Sequence, residues 1–137
     1  MDKELLVTDT LSEQMIAAGA KLVERLDALQ SDVKGALWIY FPEDKAWKLI
    51  LASPLVKEGG PKKFYKRIIE ANRKAAVDEN VISLNDIGVS NIDYKLVQLL
   101  KIAISTGDDI SGIRFSRNTI NGFFIDDAYI YRMNLST

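Results

Sequence analysis

The segment 112–133, GIRFSRNTINGFFIDDAYIYRM, constrains the fold most, because it specifies a long β-hairpin and its register together. Asn121-Gly122 supplies two adjacent residues that tolerate φ > 0, as a two-residue type I′ turn requires. A turn there sets Ile120 against Phe123, Arg117 against Asp126, Phe115 against Ala128, Arg114 against Tyr129 and Ile113 against Ile130. Side chains alternate across a strand. Ile113, Phe115, Phe124, Ala128 and Ile130 then share one face, with the Arg117–Asp126 pair near its turn end. The opposite face collects Arg114, Ser116, Asn118, Asp127, Tyr129 and Tyr131. A turn at Asn118-Thr119 would instead set Arg114 against Phe123 and destroy this separation.

The polar face is the strongest candidate for a functional surface. It offers a guanidinium, a hydroxyl, an amide, a carboxylate and two phenols, a set able to hold a small polar ligand or the backbone of a protein partner. The plainer reading is a solvated face whose cross-strand pairs stabilise the hairpin by roughly 0.2–1 kcal/mol each. Arg117–Asp126 fits that plainer reading best, as opposite charges directly across a ladder.

The chain contains neither cysteine nor histidine. Disulfides, thiolate zinc sites, cysteine nucleophiles, imidazole-bound metals and Ser-His-Asp mechanisms are therefore excluded. An enzyme built on it would have to work with carboxylates, Lys, Arg, Tyr or Ser. At 137 residues, 47% hydrophobic and 27% charged, it has the size and composition of a single globular domain over 1–137 with its own core. The N-terminal MDKELLVTDTLSEQ lacks the basic-then-apolar order of a signal peptide, and no run approaches the ~18 apolar residues of a membrane span. A cytoplasmic location follows as the expectation. A net charge of −1 gives no overall attraction to nucleic acid or anionic lipid.

From the N-terminus, Thr10-Leu-Ser-Glu13 reads as a capping box opening a helix. Its buried stripe is Leu11, Met15, Ala18, Leu22, Leu26 and Leu29. The Ala17-Ala18-Gly19-Ala20 stretch makes the middle of that helix thin, which lets it approach a neighbouring element closely. Segments 34–41 (KGALWIYF) and 46–53 (AWKLILAS) predict two antiparallel strands around a Pro42–Lys45 turn. Both are greasy on both faces, as expected of central strands in a sheet covered on both sides or buried at a subunit interface. Trp38, Tyr40 and Trp47 are then core aromatics rather than a binding box.

Ser53-Pro54 ends the second strand, and Lys57–Pro61 reads as a loop with proline placed to start a helix over 62–77. Phe64, Ile68, Ala71 and Ala75 form its buried stripe. Its outer face carries Lys62, Lys63, Lys66, Arg67, Arg73 and Lys74 against the single carboxylate of Glu70. Such a face can displace counterions from a phosphate backbone, so Lys63, Lys66, Arg67, Arg73 and Lys74 are the residues of a nucleic-acid alternative. Segment 81–89 predicts a short strand interrupted at Asn85-Asp86. A third helix follows, opened by Ser90–Asp93, marked by Ile92, Leu96, Leu99, Leu100, Ala103 and Ile104, and closed by Gly107 as a left-handed cap.

Two acidic doublets, Asp108-Asp109 and Asp126-Asp127, raise the question of Mg²⁺. Adjacent strand residues point to opposite faces, so Asp126 and Asp127 cannot chelate one ion, and turn chemistry accounts for Asp108-Asp109. Glu58-Gly-Gly-Pro61 lacks the spacing and lysine of a phosphate loop. No metal site and no cofactor is expected.

Segments 6–11 (LVTDTL), 52–56 (ASPLV) and 110–132 (ISGIRFSRNTINGFFIDDAYIYR) are similar to those of a family of small stand-alone bacterial proteins. The resemblance covers the whole chain and implies a bacterial source and a single domain. No activity is assigned to that family, so it contributes no functional residue.

The expected fold is α+β, in the order α-β-β-α-β-α-β-β, with a mainly antiparallel sheet of about five strands and helices packed on it. The expected function is a non-enzymatic interaction module, with a homodimer as one arrangement, acting through Arg114, Ser116, Asn118, Asp127, Tyr129 and Tyr131. The alternatives are a nucleic-acid-associated protein and a hydrolase-type enzyme using Asp126, Asp127, Arg114 and Arg117.

Overall fold

A computed structural model describes residues 3–135 of the chain. Its elements are β1 (Lys3–Glu4), α1 (Glu13–Ala28), β2 (Gly35–Phe41), β3 (Ala46–Ala52), α2 (Pro54–Gly59), α3 (Pro61–Arg73), β4 (Asn80–Val81), β5 (Ile87–Ser90), α4 (Lys95–Ala103), β6 (Ile113–Ile120) and β7 (Phe123–Met133). Five strands form one sheet in the order β5-β3-β2-β7-β6, antiparallel throughout except for the parallel β3–β5 pair. The class is α+β, as the pattern of elements predicts. The two-residue strands β1 and β4 make a separate parallel pair too short to leave a periodic signal.

Helices cover both faces of the sheet, which is why β2 and β3 are apolar on both sides. On one face Trp38, Trp47, Leu49, Leu51 and Tyr131 pack under Met15, Leu22 and Leu26 of α1 and under Phe64 and Ile68 of α3. On the other, Leu37, Ile39, Ile50 and Ile130 meet Leu96, Val97, Leu99 and Leu100 of α4. The thin middle of α1 is where helix and sheet come closest. The indole N–H of Trp38 donates to the Met15 carbonyl (3.1 Å) and to the Tyr131 hydroxyl (3.0 Å), and that hydroxyl donates to the Ile16 carbonyl (2.6 Å). A Cβ on Gly19 would lie 2.2 Å from the Tyr131 oxygen.

Several boundaries differ from the sequence-based expectation. The N-cap of α1 is Ser12, whose hydroxyl accepts the Met15 amide (3.1 Å), rather than Thr10. Part of the expected 57–61 loop is helical, because Ser53 caps α2 and Pro54 fills its first turn. The basic helix stops at Arg73 instead of residue 77. Beyond it, Glu79 accepts the Ala76 amide (2.8 Å) and an Arg25 bond from α1 (3.2 Å), turning the chain toward β4. Gly107 is not a left-handed cap: α4 ends as Ile104 becomes extended, and Thr106 exchanges two hydrogen bonds with Met133 of β7.

The terminal hairpin has the expected turn, with Asn121 at φ 50° and Gly122 at φ 78°, and the expected register from Ile113–Ile130 to Ile120–Phe123. Its faces are not the expected ones along their whole length. Arg117 sits at φ 49°, and the ladder is interrupted there, opposite Asp126. Past this point the alternation changes phase. Ile120 and Ile125 join the same core as Ala128 and Ile130, while Phe124 is 55% exposed instead of buried on that face. A second irregularity lies at Tyr131, where the β2–β7 register slips by one residue between Ala36–Arg132 and Leu37–Ile130. Tyr131 and Arg132 consequently both turn toward α1.

Candidate functional site

On the outer half of the hairpin, cross-strand pairing of Arg114 with Tyr129 and of Ser116 with Asp127 brings four predicted residues together. Arg114 grips Asp127 at two points, Nε donating to Oδ1 at 2.7 Å and Nη2 to Oδ2, and the Ser116 hydroxyl donates to the same Oδ1 (2.7 Å). Hydrogen bonds from Arg114, reinforced by Ser116, hold the Asp127 carboxyl below the usual aspartate range against the opposing effect of partial burial. The Asp127 bond correspondingly raises the Arg114 guanidinium. The guanidinium also lies 5.9 Å from the Trp47 ring centroid, in cation–π range. Arg114 is thus fixed on several sides while its side chain stays 50% exposed.

The other two predicted members fall elsewhere. Asn118 lies past the change of phase, where alternation places it with Ile120 and Ile125, and its amide folds back onto the Ser116 carbonyl (3.1 Å). Tyr131 is buried beneath α1 and is a packing residue, not a surface phenol. Burial pushes its hydroxyl well above the ordinary tyrosine range. Tyr129 links the two regions, half-buried and edge-on to Tyr131 with centroids 5.4 Å apart.

The carboxylate chemistry of the hydrolase alternative finds no support in this arrangement. A general acid at neutral pH requires a raised pKa, whereas Asp127 is lowered. No ion pair joins Arg117 to Asp126 among the described residues. Nor does any group of three or more acidic side chains come together among them that could hold a metal ion.

The basic face divides. Arg67 donates to the Leu29 carbonyl at the end of α1 (3.1 Å), beside the Ser31 hydroxyl, and so ties α3 to α1. Arg73 pairs with Glu70 (3.7 Å). Lys62, Lys63, Lys66 and Lys74 are exposed, with no ion pair among the described residues.

Two features escaped the sequence reading. One is the pair between Arg132 and Asp27, with bonds of 2.9 and 2.8 Å, which fastens β7 to α1. The other is a cleft of about 310 Å³ at the hairpin tip, lined by Ile39, Phe41, Leu96, Phe123, Phe124 and Ile125 together with Glu43 and Asp126. Two consecutive phenylalanines beside an Asn-Gly turn were its only legible sign. Among the described residues no helix is long and apolar enough to cross a membrane. No family model, curated protein or solved structure matches this chain.

Proposed function

We propose that the chain is a non-enzymatic cytoplasmic binding module that contacts a protein partner or a small polar ligand through the outer half of its C-terminal hairpin. The state of Arg114 supports this reading. Arginine is a residue type on which binding energy concentrates, and one already immobilised loses little conformational entropy when a partner arrives. Two of its five N–H donors are held by Asp127, leaving three for a carboxylate or carbonyl of the partner. Ser116 and Tyr129 flank it, and in a homodimer a second copy would supply the partner surface.

The test is quantitative capture by the intact chain and by Arg114→Ala and Arg114→Lys. Both variants should lose the partner, the lysine because it cannot reproduce the planar fork. An exposed ion pair contributes at most about 1 kcal/mol, so the melting temperature should fall by no more than roughly 5 °C. A partner retained by Arg114→Ala with undiminished affinity would end this proposal.

The exposed Lys62, Lys63, Lys66 and Lys74 favour a second reading, nucleic-acid association, whose signature is binding that weakens steeply with salt.

A further inference from the structure

The cleft at the hairpin tip results from two strands parting. β2 and β7 are paired from Gly35–Met133 to Ile39–Ala128, and there the ladder stops. β2 runs on beside β3 through Tyr40 and Phe41, while β7 leaves with β6 toward the Asn121-Gly122 turn. The gap opens between these diverging ends and is floored by Ile39, Leu96 and Ile125, all buried. Phe123 and Phe124, 46% and 55% exposed, form one wall. Large aromatic side chains exposed side by side at an apolar recess mark a contact surface more than a solvated tip.

Its charge is one-sided. Glu43 and Asp126 are the charged residues lining the cleft, and neither makes an ion pair or side-chain hydrogen bond among the described residues. A volume of about 310 Å³ lies at the lower end of ligand pockets. That is room for one large side chain with part of its backbone.

We propose that this cleft is a peptide-docking site for a protein segment carrying an aromatic or large aliphatic anchor next to lysine or arginine. The anchor fills the recess between Phe124 and Leu96, and the cation meets Glu43 and Asp126. The site lies across the sheet from the Arg114 array and does not depend on it.

The experiment selects binders from a random peptide library displayed on phage, using the full chain as bait. The enriched peptides are then measured by fluorescence anisotropy against the parent, Phe124→Ser, Glu43→Lys and Arg114→Ala. Enrichment of an apolar anchor within two positions of Lys or Arg is expected. Kd should rise at least tenfold in Phe124→Ser and in Glu43→Lys, rise with salt, and stay unchanged in Arg114→Ala. Phe124 and Glu43 are exposed, so both variants should retain the parent circular dichroism, and either alone suffices if the other misfolds. Failure of enrichment, enrichment of acidic or uncharged peptides, or indifference to both substitutions overturns the proposal. Peptides lost only in Arg114→Ala would overturn it while supporting the array on the other face. Self-association in sedimentation that Phe124→Ser abolishes would also overturn it, by making a second copy the occupant.

Discussion

Gly19→Ala separates the packing argument from ordinary helix propensity, because the two predict opposite signs. In an exposed helix interior, replacing glycine by alanine stabilises by about 1 kcal/mol. Here the new methyl would stand 2.2 Å from the Tyr131 oxygen, 2.8 Å from Tyr131 Cε2 and 2.8 Å from the Trp38 indole nitrogen. Neither ring can swing aside, since Trp38 is 0% and Tyr131 1% exposed. Relieving the clash means moving α1 off the sheet or breaking the bonds that run from Trp38 and Tyr131 to the Met15 and Ile16 carbonyls. Overpacking costs about 1–3 kcal/mol, and a buried polar group left unpaired about 1–3 more. Less the propensity gain of about 1 kcal/mol, the expected loss is about 1–5 kcal/mol, whose middle corresponds to roughly 10 °C in melting temperature. Urea unfolding followed by tryptophan fluorescence measures it. Tyr131→Phe removes the nearest atom, so Gly19→Ala should be milder in that background, with a coupling of about 1–2 kcal/mol in a double-mutant cycle. A Gly19→Ala protein more stable than the parent, or strictly additive effects, would refute the close approach of α1 to these rings.

Burial raises the Tyr131 pKa, so its contribution to stability is complete below the unfolded tyrosine value of about 10 and is lost as pH rises above it. Alkaline titration by ultraviolet absorbance should show Tyr131 staying protonated until the protein unfolds, and Tyr131→Phe should remove that late step. Within the basic helix, Arg67→Ala should cost about 1–2 kcal/mol through the lost bond to the Leu29 carbonyl. Lys63→Glu with Lys66→Glu should leave stability unchanged while abolishing any salt-sensitive binding to duplex DNA. Equal stability effects from the two changes would contradict the division of that face.

The sequence disclosed most where one local rule dominated. Asn121-Gly122 imposed the hairpin register because few other residue pairs tolerate both turn angles. The spacing of Met15, Ala18, Leu22 and Leu26 revealed the buried side of α1, and the small residues of 17–20 its capacity for close approach. Apolar residues on both faces of β2 required cover on both sides. What stayed hidden depended on distant partners or on competing local rules. Thr10 and Ser12 are both able caps, and only the onset of the helix chooses between them. The end of α3 depends on Glu79 and Arg25, which come from separate parts of the chain. Asn118 was assigned to the polar face by an alternation that the strand does not keep, whereas Tyr131 keeps it and shares a face with Tyr129, but α1 covers that face there.

Those breaks in alternation divide the hairpin into a structural half and an outward-looking half. At Tyr131 the extra residue sends two consecutive side chains toward α1, where one bonds Ile16 and the other Asp27, so this end of β7 is locked to the helix. At Arg117 a non-glycine residue takes a left-handed conformation that costs of order 1–2 kcal/mol. The compensation is visible beyond it: Ile120 and Ile125, 7% and 2% exposed, are buried on a side that strict alternation would have denied them. Burying an isoleucine is worth about 1.5–3 kcal/mol, so two of them outweigh one strained residue. The same change of phase leaves Phe124 uncovered, and the parting of β7 from β2 opens the cleft beside it. The strain at Arg117 is therefore offset inside the core, and its visible consequence outside is Phe124, 55% exposed on the rim of the cleft.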